Sequence, residues 1–395
     1  MTSPVAWAPN PYALAQLLTG EHIEPLYTED GINADKFLQN AFLSHGNHKT
    51  MESAFAVFQS LAEVNKTFTL AEALGSPYLN QAREDQYSDE QISNVLPALL
   101  RISDTVFEGH VLAKASQIFV NDVSYMDPVQ GDVGDCYLIS ALIALAWARP
   151  ELLKTRLHAS GFDPSLAESF FTWKFHKDDR GATPPEPITV KGQIPMAGKL
   201  FRYARSVSRD EAWPALIEKT YVMKKRGNAS LEAELSPADY QAIARAPLNT
   251  TPPLACQSLV GGKVAGRPVG SDGGKVFSDR EPLHTSSGIM SKPAMAWTKP
   301  KVNRAAEEDF WTVTGLWSNH AYAVLGVMKQ GDRDYVVLRN PWGIATRPRG
   351  GYAEDPWNAG ELSLTLNQKG VFAILLEMFV EHFDQIGWIE NLVNA

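Results

Sequence analysis

The chain has 395 residues, 44% of them apolar, which is enough to bury about two or three cores and excludes a single small domain. The net charge of −9 argues against a nucleic-acid partner, because phosphate binding needs clustered Lys and Arg side chains. The two cysteines, Cys136 and Cys256, do not make a disulfide framework, and they fit a reducing compartment that leaves a thiol free.

The N-terminal sequence has neither the basic region nor the continuous apolar region of a signal peptide, and no apolar run is long enough to span a membrane. These features predict an intracellular, cytoplasmic protein. Residues 1–112 have the pattern of a bundle of short helices, with capping boxes at Thr69–Glu72 and Ser88–Gln91. This helical N-terminal region is a propeptide, a regulatory module or simple packing, and the residues leave the three roles open.

A long apolar run forms the centre of the sequence. Between Leu138 and Ala148 every residue except Ser140 is apolar, which predicts a helix buried on all sides. Asp135 is placed to cap this helix, and Cys136 falls on its first turn, where unpaired N–H groups and the helix dipole favour a thiolate. A cysteine in this place is more often a small buried side chain of the core than a nucleophile. A catalytic role therefore requires a base and an orienting group elsewhere in the chain.

The remaining predicted elements alternate between strands and helices. Strands are expected at Gln117–Val120, Phe170–Phe175, Ile188–Val190, Trp311–Thr314, Tyr322–Leu325 and Tyr335–Leu338, helices at Glu211–Lys225 and Leu376–Phe383, and a loop or linker between about 263 and 280. A cleft is expected where this linker joins the two halves.

The base and the orienting group are found in the last third of the chain. His320 begins one predicted strand and Asn340 ends the next, and adjacent strands would bring the two side chains together. A thiol, an imidazole and a carboxamide form a set suited to nucleophilic attack on a carbonyl.

Three separated segments carry a resemblance to a known family. The segments QGDVGDCY (130–137), NHAYAV (319–324) and LRNPWG (338–343) resemble, in the same order, the catalytic blocks of the calpain family of papain-like cysteine proteases. The helical segment 210–221, with its Trp, Leu-x-Glu-Lys and Tyr, is similar to a helix of that family. The resemblance covers about residues 115–390, and residues before about 110 lie outside it.

The resemblance implies an α+β fold with a papain-like, two-lobed core. It implies a Cys lobe with the central helix over residues 113–265 and an antiparallel, strand-rich His/Asn lobe over 266–395, preceded by the helical region 1–112. The implied activity is a cysteine endopeptidase that cleaves protein or peptide substrates through a thioester acyl-enzyme.

The family's roles transfer to matching positions. Cys136 is implied as the nucleophile, His320 as its imidazolium partner and Asn340 as the residue that orients His320. Gln130 matches the oxyanion donor, and Trp342 is expected to cover the contact between Asn340 and His320.

The positions around the nucleophile are similar to the family with two departures. Tyr137 stands where the family usually has Trp, and Asn319 stands where it usually has Gly, so substrate fit is affected more than the catalytic groups. Gly134 belongs to the turn before Cys136, and Asp135 places a negative charge beside the thiolate, as it does throughout the family.

The proposed chemistry requires no cofactor, although calcium is implied as a possible one. Asp127 and Glu211 match the two carboxylates of the family's first calcium site. At the second site the acidic residues of the family are replaced by the sequence 369–371, Lys-Gly-Val, and that site is expected to be lost.

Two other functions use the same residues. An acyl transferase would pass the acyl group to an amine instead of water, and a catalytically degenerate calpain fold would act as a binding module. The presence of Cys136, His320 and Asn340 favours the peptidase.

Overall fold

The computed structural model describes residues 7, 27–28, 31–32, 111–114, 117–131, 133–160, 169–177, 184–197, 200–208, 211–227, 234–244, 250–270, 283–300, 314–343, 351–353, 356–367 and 369–392. The helices predicted between residues 50 and 100 and most of the strand predicted at Trp311–Thr314 lie outside the described residues. The role and helical nature of the region 1–112 therefore stay predictions.

The described residues form an α+β fold. The helices are α1 (Cys136–Ala148), α2 (Pro150–Arg156), α3 (Trp213–Arg226), α4 (Pro237–Ala244), α5 (Pro252–Val260) and α6 (Leu376–His382). The strands of the first half are β1 (Tyr27–Thr28), β2 (Gly31–Ile32), β3 (Val111–Lys114), β4 (Pro128–Val129), β5 (His158–Ser160), β6 (Phe170–Phe175), β7 (Glu186–Lys191), β8 (Gln193–Ala197), β9 (Leu200–Phe201) and β10 (Arg205–Ser206). The later strands are β11 (Lys263–Pro268), β12 (Ile289–Thr298), β13 (Ala321–Gln330), β14 (Arg333–Arg339), β15 (Trp357–Ala359), β16 (Leu362–Leu364), β17 (Val371–Leu375) and β18 (Phe383–Glu390).

Helix α1 is the buried central helix that the apolar run predicts. Every residue from Cys136 to Ala146 is buried, and the helix packs against α5, β12 and β13. It ends where the N–H of Arg149 bonds to the carbonyl of Leu145, and Pro150 then occupies the first turn of α2. Because proline lacks an N–H donor, it starts a helix readily but cannot continue one, so the chain turns here.

The second half is built on a six-stranded antiparallel sheet in the order β11-β18-β12-β13-β14-β17. Successive side chains of a strand point to opposite faces. On β13, Ala321 and Ala323 accordingly join the core that contains α1, whereas Tyr322 and Val324 join a second core on the other face. His320 is the residue before β13, so the sheet fixes it at the start of this strand.

The first half contributes small sheets and helix α3 to the core that contains α1. Strands β5, β6 and β7 form one antiparallel sheet, and β3, β8 and β9 form another. The ammonium group of Lys219 on α3 donates to the carbonyls of Lys191 and Gln193, which ties the helix to the junction of β7 and β8.

Two predicted elements are wrong. Of the strand predicted at Gln117–Val120, only Gln117 forms an isolated bridge, with Glu211. The predicted linker begins with strand β11, which pairs with β18 along the sheet edge. Gly266 looked like a linker glycine, but a Cβ there would lie 2.9 Å from the carbonyl oxygen of Ile386, so it permits close strand approach. Strand β11 crosses the boundary between the two halves that the sequence predicts at 265/266. The division into two halves at that point stays a prediction.

Within the described ranges, no single helix combines the length and apolarity needed to cross a membrane. The pair α1 and α2 passes that test only when taken together, and it is bent by 108°.

Candidate active site

The structure joins His320 and Asn340 by a hydrogen bond, as the sequence predicts. The Nε2 atom of His320 lies 3.0 Å from Oδ1 of Asn340, and the same oxygen accepts the backbone N–H of Trp342 at 3.1 Å. Because the Trp342 N–H needs an acceptor, this atom of Asn340 is the oxygen and Nε2 carries the ring proton. In neutral His320 the other nitrogen, Nδ1, is then an acceptor, as a base for a thiol must be.

Aromatic rings enclose His320. Its ring centroid lies 4.3 Å from the ring of Trp342 and 4.7 Å from that of Tyr322. The side chain is completely buried, and burial lowers the pKa of His320 to about 3 although the bond to Asn340 opposes this shift. The imidazole is therefore neutral in this geometry. Its role as the imidazolium partner of a Cys136 thiolate stays a prediction.

Cys136 lies at the first position of α1 and is fully buried. It belongs to the same core cluster as Ala321, the residue that follows His320. Nδ1 of His320 is buried and makes no hydrogen bond to any described residue, so it is the nitrogen left for a thiol proton.

The loop before Cys136 is held against the turn that follows Asn340. The N–H of Gln130 bonds to the carbonyl of Pro341 at 2.8 Å. Arg339 reinforces this contact, because its guanidinium donates to the carbonyls of Met126 and Pro128 at 2.6 and 2.9 Å. The loop before Cys136 and the turn after Asn340 are thus fixed to one another by one backbone bond and by two bonds from the Arg339 side chain.

The side chain of Gln130 is turned into its own loop. Nε2 donates to the carbonyl of Val133 at 2.6 Å, and the residue is completely buried. A primary amide carries two N–H donors, so one is used in this bond and the oxyanion role depends on the other. The role of Gln130 as an oxyanion donor stays a prediction.

Comparison with known proteins identifies the family of the chain. The family described as calpain family cysteine protease matches residues 108–389, which is more than half of the chain. This chain belongs to the calpain family. Its similar relatives include Calpain-A of Drosophila melanogaster (22% identity over 70% of this chain and 32% of the relative) and a thiol protease of Porphyromonas gingivalis (27% over 66% and 54%). Calpain-9 of Homo sapiens is 22% identical over 70% of this chain and 38% of its own length.

This calpain-family chain thus spans between about a third and about half of the length of those relatives. The shared part is the catalytic core and contains all the site residues described above.

The two departures from the family have structural explanations. Asn319 has a φ of +46°, a left-handed conformation that glycine adopts freely and that asparagine tolerates better than other residues. The hydroxyl of Tyr137 donates to the carbonyl of Ile243 at 3.0 Å, so this side chain is a fixed part of the Cys lobe.

A residue far upstream also reaches the loop before Cys136. The ring of Trp7 lies 5.9 Å from that of Tyr137. A Cβ at Gly134 would lie 2.4 Å from the carbonyl oxygen of Trp7, so only glycine leaves room for that chain. Sequence reasoning missed Trp7, because no pattern links it to a segment that is more than a hundred residues away.

The two proposed calcium ligands lie together in the Cys lobe. The Oδ2 atom of Asp127 accepts from the backbone N–H of Ser124 and from the indole of Trp213. Glu211 accepts from the N–H of Val120 and from the hydroxyl of Ser206. Burial and the proximity of Asp127 raise the pKa of Glu211 to about 7.

Two facing carboxylates with raised pKa values fit a hard cation in donor type. No cluster of three or more His, Cys, Asp and Glu side chains suited to a metal occurs in the part of the chain that the structure describes. The remaining ligands of a calcium ion at Asp127 and Glu211 would therefore be carbonyl groups or water. At the second site, whose loss stays a prediction, the carbonyl of Lys369 accepts from Arg339.

Asp135 and Glu218 form the other buried acidic pair of the Cys lobe. Asp135 occupies the N-cap position of α1, but its side chain makes no capping hydrogen bond, contrary to the prediction. Burial raises the pKa of Asp135 to about 7, and the carboxyl of Asp135 lies next to that of Glu218. Sequence reasoning placed Glu218 in a helix similar to one of the family but gave it no role in the site.

Proposed function

We propose that this chain is a cysteine endopeptidase in which Cys136, His320 and Asn340 act as a triad. The observation that carries the proposal is the buried bond between Nε2 of His320 and Oδ1 of Asn340, which leaves Nδ1 as an acceptor. Membership of the calpain family supports a protein substrate and a thiol nucleophile.

The reaction begins with transfer of the Cys136 thiol proton to Nδ1 of His320. The sulfur attacks the peptide carbonyl, and the oxyanion that forms is stabilised by the N–H of Cys136 and the amide of Gln130. The C–N bond then breaks as the imidazolium protonates the leaving amine, which leaves a thioester on Cys136. Water, deprotonated by His320, hydrolyses the thioester and restores the thiol.

Asn340 positions the base in this scheme. Its Oδ1 atom accepts a hydrogen bond from the N–H at Nε2, and this bond selects the tautomer in which Nδ1 can receive the thiol proton. The ring of Trp342 covers this contact, and its exclusion of water strengthens the bond between Asn340 and His320.

The second cysteine of the chain makes a matched test possible. Cys256 is completely buried in α5, and burial raises the pKa of its thiol. Cys136→Ala is expected to abolish casein hydrolysis and labelling by an epoxide-type thiol inhibitor, whereas Cys256→Ala keeps both. Hydrolysis that survives Cys136→Ala would refute the proposal.

The same experiment separates the alternatives. With an added amine, an acyl transferase would form an amide product that depends on Cys136, and a peptidase would form mainly free carboxylate. If the folded wild-type chain shows neither product and no inhibitor adduct at Cys136, a binding module is the better description.

We also propose that Asp127 and Glu211 hold a calcium ion. The calcium proposal is supported by the proximity of these two buried carboxyls, because a divalent cation would relieve their mutual repulsion. Calcium should raise the melting temperature of the wild type but not of Asp127→Asn. Asp239→Asn, which changes a carboxyl that caps α4, should keep the calcium response. An equal response in Asp127→Asn would refute the site.

A further inference from the structure

Asp135, the residue immediately before the nucleophile, does not use its side chain as its position suggests. Its backbone carbonyl accepts the N–H groups of Leu138 and Ile139 at 2.7 and 3.1 Å, as an N-cap residue does. Its carboxyl caps nothing and is completely buried. An aspartate at this position normally accepts an N–H of the first turn, so another interaction holds this side chain away.

The carboxyl of Asp135 faces the carboxyl of Glu218 on α3, which is 1% exposed. Both oxygens of Asp135 and Oε1 of Glu218 are buried and accept no hydrogen bond from a described residue. The two carboxyls nevertheless lie within hydrogen-bonding reach of each other. Two carboxylates repel, so this contact is stable only with a proton between them.

The surroundings favour retention of that proton. Burial is the main cause that raises the pKa of both carboxyls, and that of Glu218 lies well above its usual range. The titratable groups that interact with the pair are Tyr137 on α1, Tyr221 on α3, Tyr240 on α4 and Arg205 on β10. Of these, only Arg205 brings a positive charge.

Glu218 is itself held in place. Its Oε2 atom accepts the backbone N–H of Ala204 at 3.0 Å, and its Oε1 atom is buried without a hydrogen bond to a described residue. The donor to Asp135 is therefore a protonated carboxyl that is fixed by its own helix and by the neighbouring loop.

We propose that Glu218 is a positioning residue: its carboxyl shares a proton with Asp135 and so holds the Asp135 side chain away from the N-terminus of α1. This arrangement leaves the N–H groups of the first turn to the sulfur of Cys136 and to the substrate oxyanion. The role rests on the proposed function of Cys136 as the nucleophile.

Removal of the shared proton has a defined electrostatic consequence. With no donor opposite, the Asp135 side chain is released to the N-terminus of α1, where the N–H groups of the first turn and the helix dipole stabilise its ionised form beside Cys136. A negative charge near a thiol raises the pKa of the thiol, and each pKa unit is a tenfold loss of thiolate at a given pH.

The test measures the rate of Cys136 alkylation by iodoacetamide against pH, in a Cys256→Ala background. Glu218→Ala is expected to raise the midpoint by at least about one pH unit, a tenfold loss of rate at neutral pH. Glu218→Gln keeps an N–H donor toward Asp135 and should restore the wild-type midpoint. The double variant Asp135→Asn/Glu218→Ala, which has no carboxylate, should restore it as well.

Glu151→Ala serves as the control, because it removes an exposed carboxylate from the same half. A wild-type midpoint in Glu218→Ala, or an equal shift in Glu218→Gln, would overturn the proposal. A purely structural role would lower stability in these variants without moving the midpoint.

A second measurement tests the proposal if Glu218→Ala does not fold. The infrared spectrum of the folded wild type at neutral pH should contain the carbonyl band of buried protonated carboxyls. The band of Glu218→Gln should be weaker but present, because Glu211, with a pKa of about 7, contributes to it in both proteins. An equally strong band in the wild type and in Glu218→Gln would overturn the proposal. Neither readout requires peptide hydrolysis, so failure of the shared proton is distinguishable from failure of the peptidase.

Discussion

The two sides of the candidate active site bury their titratable groups in different ways. On the histidine side, defined as residues 319–322 and 340–342, a base is surrounded by aromatic rings and a neutral amide, and burial removes its charge. On the cysteine side, defined as residues 130–137 with Glu218, two acids face each other, and burial retains a proton between them.

This difference shows how one buried site can be kept close to neutral with both acidic and basic groups. An isolated buried charge costs several kcal/mol, so each side avoids charge in the way its chemistry permits. The histidine loses a proton and the acids keep one. The two sides should therefore respond oppositely to pH and differently to substitution.

Loss of the base should produce the largest effect. His320→Ala removes the acceptor for the thiol proton and the donor for the leaving amine, and it should lower kcat by roughly 10²–10⁴-fold. Steady-state hydrolysis of a peptide substrate measures the change. Replacement of the exposed-loop residue His284, as His284→Ala, should leave kcat unchanged. Equal kcat values in His320→Ala and the wild type would contradict the assignment.

The oxyanion donor on the cysteine side should come next. Gln130→Ala should lower kcat by about 10²–10³-fold, which is the cost of one lost oxyanion donor. Gln257 is a matched control, because it is buried in the same half and its Nε2 donates to the carbonyl of Gly262 at 2.9 Å. Gln257→Ala should reduce stability but not kcat. If both variants lose only stability, Gln130 is structural.

Acid stability tests the histidine side. Because the folded-state pKa of His320 is about 3 and the unfolded value is about 6.5, the unfolded chain binds a proton first as pH falls. The free energy of unfolding should thus decrease by about 2 kcal/mol from this group between pH 7 and 5. His320→Gln should remove that part of the decrease in urea unfolding. His284→Gln should retain it, and an unchanged slope in His320→Gln would contradict a neutral His320.

The loss of stability as pH rises tests the cysteine side, because its free energy of unfolding should change with pH in the opposite direction. A carboxyl whose pKa is raised on folding contributes stability below its unfolded pKa, and that contribution is lost as pH rises through the folded pKa. Glu218→Gln has no carboxyl proton at this position to lose. Between pH 5 and 8 its free energy of unfolding should therefore rise by on the order of 1 kcal/mol relative to that of the wild type. Urea unfolding at both pH values measures the gain, and parallel pH profiles would contradict the shared proton.

Sequence reasoning was most successful where local pattern determines structure. The apolar run, broken only by Ser140, predicted α1 to its last residue, and two runs of strand-forming residues predicted the strands that bring His320 and Asn340 together. The family membership implied by three short segments was confirmed by the match over residues 108–389.

The features that were missed depend on contacts between distant segments. Asp135 has the sequence of an N-cap, and only the packing of α3 against the start of α1 turns its carboxyl toward Glu218. Gly266 and Pro268 are typical of loops, and they lie in a strand because the chain is at a sheet edge. The resting charge of His320 likewise depends on burial by Tyr322 and Trp342, which the pattern does not reveal.

The central claim is that the sulfur of Cys136 forms the covalent intermediate with help from His320. The most direct measurement is an acid quench of the enzyme during turnover of a peptide ester, followed by mass spectrometry of the acylated peptide. The account predicts a thioester on Cys136 that forms in the wild type and in Cys256→Ala but not in His320→Ala. An acyl group on Cys256, or one that forms equally fast without His320, would contradict it.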